Sequence, residues 1–106
     1  MTSTSISLIY CPFPDLEAAR LAARTLIEQK LVACCNLLPA GESHYVWEGE
    51  YTATSEIILI AKTMPKNLAR TREVLERLHP YACPAILSFE ASANAEFAAF
   101  VTASSR

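Results

Sequence analysis

Cys11, at the end of an apolar run just before Pro12, and His79, just before Pro80-Tyr81, are the residues whose types could do chemistry together. A thiolate and an imidazole suit copper or another soft to borderline divalent ion, and both residues fall at the ends of elements, where functional groups tend to be displayed. Each also has a plain structural reading: a small buried thiol, and a histidine closing a helix. Spacing along the chain does not by itself bring the two together. Cys34 and Cys35 are adjacent, so in a regular strand they face opposite ways and make poor joint ligands; core packing is their reading. With Cys83 the chain has four cysteines, but no Cys-x-x-Cys step and no paired zinc-ligand spacing. Free thiols in a reducing compartment are the expectation.

Enzymatic chemistry finds little footing. Only Gly41 and Gly49 are available, so there is no phosphate-cradling loop or dinucleotide fingerprint, and no His-Glu-x-x-His element occurs. A non-enzymatic protein is expected. The formal net charge of −2 offers no electrostatic reason to approach phosphate backbones or anionic lipid. The start, MTSTSISLIYC, lacks a basic region and a long apolar run, so it reads as neither a secretory signal nor a spanning helix. The expectation is a cytoplasmic protein without nucleic-acid or membrane partners.

The elements that must position these groups are legible from periodicity. Residues 6–11, ISLIYC, form a first strand that stops at Pro12. Asp15 caps a helix over 16–30, with Glu17, Arg20, Arg24 and Glu28 outward, Ala18, Ala19, Ala22 and Leu26 inward, and Lys30 in its last turn. Residues 31–47 and 50–63 read as the arms of one long hairpin about Gly49, with Pro39 and Gly41 allowing a bulge. Pro65 opens a second helix, with Leu68, Leu75 and Leu78 on one face, that ends at His79-Pro80. A fourth strand covers 85–91, and a final helix over 94–103 sets Phe97, Phe100 and Val101 at helical spacing. Short Ser/Thr-rich ends are expected to fray.

This order, β-α-β-β-α-β plus a helix, is the α+β split-βαβ pattern of ferredoxin-like domains, with both helices on one face of an antiparallel sheet. In the third strand Ile57, Leu59 and Ala61 point one way, and Glu56, Ile58, Ile60 and Lys62 the other. Both faces are therefore apolar, and a chain of 106 residues has no second layer for the far one, so another copy is the economical cover, with a hairpin tip that curls back on its own core as the alternative. About 13 residues per hairpin arm at roughly 3.3 Å each span about 43 Å, against a radius of gyration near 13 Å for a domain of this size. The hairpin overshoots its own domain. Tyr45, Trp47 and Tyr51 near its tip are then anchors on a neighbour. Glu48 and Glu50 flank the turn as solvated or paired groups, His44 is a rim residue, and Glu56 and Lys62 lie on the assembly face, where a buried charge needs a partner. Tyr81, in the His79-Pro80-Tyr81 step, joins Tyr45, Trp47, Glu48, Tyr51, Glu56 and Lys62 as an assembly candidate.

Cys11 after the first strand, "EQKLVACCNLLP" (28–39), "YVWEGE" (45–50), "SEIILIAKT" (55–63) and "HPYACP" (79–84) together closely resemble the CutA family of divalent-cation tolerance proteins. The resemblance implies a single CutA-like domain over 1–106 that assembles into a homotrimer similar in architecture to the PII signalling proteins. It also implies tolerance or binding of divalent metals, Cu2+ foremost, with Cys11 and His79 at the matching ligand positions. Two positions depart from the family: Ala85 stands where many members carry a glutamate, and Leu78 where some carry a second histidine. A carboxylate and an imidazole that could serve as ligands are thereby lost. A PII-like trimer taking a small ligand or partner protein in clefts between subunits is the alternative function. Acylphosphatases share the expected topology, but a shared fold is weak ground for activity.

Overall fold

Alternation along the first strand sets the two sides of the sheet. In β1 (Ser5–Phe13), Ile9, Cys11 and Phe13 are fully buried on one side, while Ile6, Leu8, Tyr10 and Pro12 take the other. The computed structural model describes residues 4–105. The expected fraying of the ends falls partly on residues 1–3 and 106, outside the described residues, whereas Ser105 is buried.

β1 runs two residues further than expected, through Pro12, which sits opposite Ile58 of the neighbouring strand. Proline is tolerated there because the other neighbour of β1 pairs only as far as Tyr10, so no ladder needs the missing N–H. α1 (Leu16–Glu28) starts where Asp15 accepts from the Ala18 amide at 2.8 Å. It ends earlier than its periodicity predicts. Lys30 is not in the last turn but beyond it, in the left-handed region at φ 58°. The Lys30 amide donates to the Ile27 carbonyl and the Leu31 amide to the Leu26 carbonyl, each at 3.0 Å, and Leu31 and Leu26 join one core cluster. That is a Schellman close with a lysine where glycine is usual.

The hairpin arms are β2 (Cys34–Trp47) and β3 (Glu50–Thr63), 14 residues each. β2 begins three residues later than predicted: Leu31 and Val32 are buried in the core but precede the ladder. Between the pairs Leu38↔Ile58 and Gly41↔Glu56 the first arm carries one extra residue, the bulge that Pro39 and Gly41 suggested. Gly41 is obligatory by proximity, since a Cβ there would lie 2.8 Å from the Glu56 carbonyl oxygen. The tip is a two-residue turn with Glu48 at φ 50° and Gly49 at φ 82°, the I′ geometry that matches strand twist. The hairpin gives the molecule a long axis of 52 Å against 24 and 22 Å across.

Pro65–Asn67 form a 3-10 turn, and α2 (Leu68–Leu78) follows. β4 (Leu87–Ser92) starts two residues later than predicted and pairs with β1. The sheet order is β2-β3-β1-β4, with every pair antiparallel. α1 and α2 bury Ala19, Ala22, Leu26, Val74 and Leu75 against Ile9, Phe13, Leu59 and Ala61. Each such large aliphatic side chain contributes about 1.5–3 kcal/mol by leaving water.

The far side of the sheet is only partly open. α3 (Ala95–Ser104) crosses it at the Ile6 end, where Ala98 and Val101 pack with Ile6 and Leu8. Of the predicted Phe97–Phe100–Val101 face, Val101 is fully buried and Phe97 half-buried there, and Phe100 alone is exposed. The helix lies so close to the strand that small Ala98 and Val101 make the contact. Beyond α3 the same face carries Tyr10, Leu38, Ile58, Ile60, Leu87 and Phe89, of which Leu38, Leu87 and Phe89 are exposed.

Candidate functional site

The cleft at the base of the hairpin gathers side chains that lie far apart in sequence. β3 contributes Glu56, β2 contributes Tyr45 and Trp47, β1 ends there in Pro12, and the segment after α2 brings Tyr81 and Ala85 across the end of the sheet. The space they line measures about 560 Å³. β4 is too short to occupy this end of β1, which is why the 79–86 segment can cross it.

Glu56 is the electrostatic centre. It is only 6% exposed, it accepts from the Ser43 hydroxyl on Oε1, and it accepts from the Tyr81 hydroxyl on Oε2 at 2.9 Å. Among the described residues, no lysine or arginine lies within ion-pair distance of it. Burial, and then the hydrogen bond and charge of Glu56, push the Tyr81 phenol up to about 12, so it stays protonated and donating across the neutral range.

His79 packs at the edge of the cleft. Its Nε2 donates to the Pro12 carbonyl at 2.7 Å, and its Nδ1 accepts from the Tyr81 amide at 3.1 Å. An amide can only donate, so the ring is held as the Nε2–H tautomer. It stacks on Phe13 with centroids 4.4 Å apart and meets Tyr81 at a tilt, with centroids 4.9 Å apart. Cys11 is fully buried on the helix-covered side, opposite Leu59. Burial, and secondarily Glu56, raise its thiol to about 12.

These settings bear on a metal. The thiol must lose a tightly held proton to become a ligand, and both imidazole nitrogens are already engaged. Among the described residues there is no group of three or more His, Cys, Asp or Glu side chains arranged to hold an ion. Within this chain, then, the Cys11 and His79 donors do not form a ready-made metal site. Ala85, where the resemblance implied a glutamate, lines the cleft wall and supplies no donor.

The remaining candidates separate by face. Past the bulge, Ser43, Tyr45 and Trp47 share a face with Glu56, whereas Glu42, His44 and Val46 share the opposite one with Tyr51. Tyr51 therefore lies on the other face of the hairpin from Tyr45 and Trp47. Its hydroxyl instead meets His44 Nδ1, while His44 Nε2 lies 2.6 Å from Glu42 Oε1. Trp47 is 58% exposed and Tyr51 72%. Glu48 and Glu50 are exposed at the turn. Lys62 lies on the open face opposite Leu8 and Cys34, and Cys35, on the other side, packs against the core. Ser43 and the Pro12 carbonyl are site groups that sequence reasoning missed. Only the parity change at the bulge puts Ser43 beside Glu56, and a backbone carbonyl carries no sequence signal.

A four-stranded antiparallel sheet backed by two helices, with an elongated β2–β3 hairpin, places the chain among ferredoxin-like α+β proteins. The model of the family described as "CutA1 divalent ion tolerance protein" matches residues 7–104. The divalent-cation tolerance protein CutA of Thermus thermophilus is 36% identical over 85 residues, 79% of this chain and 82% of that protein. The structure of CutA1 from Ehrlichia chaffeensis superposes with a TM-score of 0.94 at 32% identity, covering 99% of each chain. CutA1 from Oryza sativa does so at 0.94 and 30%, covering 100% of this chain and 98% of that one. The chain belongs to the CutA1 divalent ion tolerance family.

Proposed function

We propose that the chain is the single-domain subunit of a homotrimer that serves divalent-metal tolerance and homeostasis, with copper as the ion. The observation that carries the assembly is the uncovered apolar face: Leu38, Leu87 and Phe89 are exposed side by side with Tyr10, Ile58 and Ile60. An isolated subunit would leave that area wet, and copies closing on it, with sheets inward as in PII proteins, dry it. Tyr45 and Trp47 lie on the same side and fall at the subunit border. Family membership supports the tolerance role, and a soft thiolate with an imidazole supports copper. Cys11 and His79 would bind the ion only after the thiol loses its proton and the Tyr81 amide releases Nδ1. All four cysteines are free, which fits a cytoplasmic protein. No helix among the described residues is long and apolar enough to cross a membrane.

Light scattering is expected to return three times the 11.6 kDa of one chain. A well-folded particle of single-chain mass at micromolar concentration would defeat the assembly. Cu(II) titration of the reduced protein should lose its tight phase in both Cys11→Ala and His79→Ala, and unchanged binding in both would sink the ion site. One feature favours a second reading, a signalling or scaffolding trimer that takes a small ligand: the cleft of about 560 Å³ around Glu56 lies within the size range of small-molecule sites.

A further inference from the structure

The buried carboxylate of Glu56 has hydroxyl partners but, among the described residues, no cation. A carboxylate held 6% exposed beside apolar walls is costly unless its charge is matched, and two hydroxyl donors match it only in part. Each of its oxygens takes one hydroxyl bond and has a lone pair left for a further donor. The walls around it include Tyr45, Trp47 and Tyr81 together with Pro12, Ala85 and the Cys83 thiol. Aromatic ring faces attract cations, most strongly when water is excluded.

From this geometry we infer that the cleft binds a small organic molecule with a primary ammonium group on an apolar or aromatic body, the ammonium on Glu56 and the body against Tyr45 and Trp47. The inference rests on the small-ligand reading of the cleft and names its ligand class. A divalent ion is the poorer occupant, because Glu56 is the one carboxylate and Cys83 the one thiol in the lining, and among the described residues no three His, Cys, Asp or Glu side chains converge. An ammonium can donate to the free lone pairs of Glu56 while the apolar body lies against the rings.

Phenethylamine and 2-phenylethanol share a body and differ in the ammonium, which the alcohol replaces by a hydroxyl. Calorimetric titration of the assembled protein should show the amine binding about tenfold or more tightly than the alcohol. Glu56→Gln should abolish that difference with the mass unchanged. Trp47→Leu should weaken the amine and the alcohol alike, because it touches the phenyl body that they share. Equal affinities on the unmutated protein would overturn the proposal without any variant needing to fold. So would failure to bind either compound, which would mean that another copy fills the cleft. In both cases a trimer mass, or Cu(II) binding lost in His79→Ala, would leave the tolerance reading standing.

Discussion

Replacing His79 separates a structural histidine from one held in reserve for a ligand. His79→Ala removes the Nε2–H bond to the Pro12 carbonyl at 2.7 Å, the Nδ1 bond from the Tyr81 amide at 3.1 Å and the stack on Phe13 at 4.4 Å. Each hydrogen bond is worth about 1 kcal/mol net and the stack about 1 kcal/mol, so the variant should lose about 3 kcal/mol. His79→Phe keeps a ring on Phe13 but leaves the carbonyl and the amide without their partner, so about 2 kcal/mol should go. Urea unfolding at one fixed protomer concentration reads both losses, since assembly makes stability concentration-dependent. Hydrogen exchange at the Tyr81 amide should accelerate in both variants. A loss under about 1 kcal/mol in His79→Ala, or a His79→Phe as stable as the parent, would refute the reasoning.

Lys30→Gly should raise stability by about 0.5–1 kcal/mol, because the left-handed position costs a side chain more than glycine's extra chain entropy, and a melting temperature higher by a few degrees checks it. Gly41→Ala should cost about 1–3 kcal/mol in urea unfolding, since its Cβ must push the Glu56 carbonyl away from 2.8 Å. Alkaline pH should weaken the fold through Cys11, whose thiol titrates near ~8.5 when unfolded and about 12 when folded. The folded state then holds the proton more tightly, so this stabilisation is complete below the unfolded value and declines as pH rises toward the folded one. The slope is up to about 1.4 kcal/mol per pH unit, and urea midpoints measured across that window should fall less steeply in Cys11→Ala.

Local chemistry was enough for the elements and their order, because periodicity, Asp15 before α1, Pro65 and the Glu48-Gly49 turn act within a few residues of themselves. The same local evidence marked β3 as apolar on both faces, and through motif resemblance it identified the family. What it could not supply were quantities set by contacts across the sheet. The length of β4 decides that Pro12 can stay in β1, and the close approach of α3 decides that Ala98, not Phe100, is buried. The one-residue bulge between Leu38 and Gly41 decides more, because it inverts the parity of the arm, setting Ser43, Tyr45 and Trp47 on the side of Glu56 and sending His44 to Tyr51. A strand reads its faces from register, and register is a relation between two segments, so only the folded chain could place Tyr81 and Ser43 on one buried carboxylate.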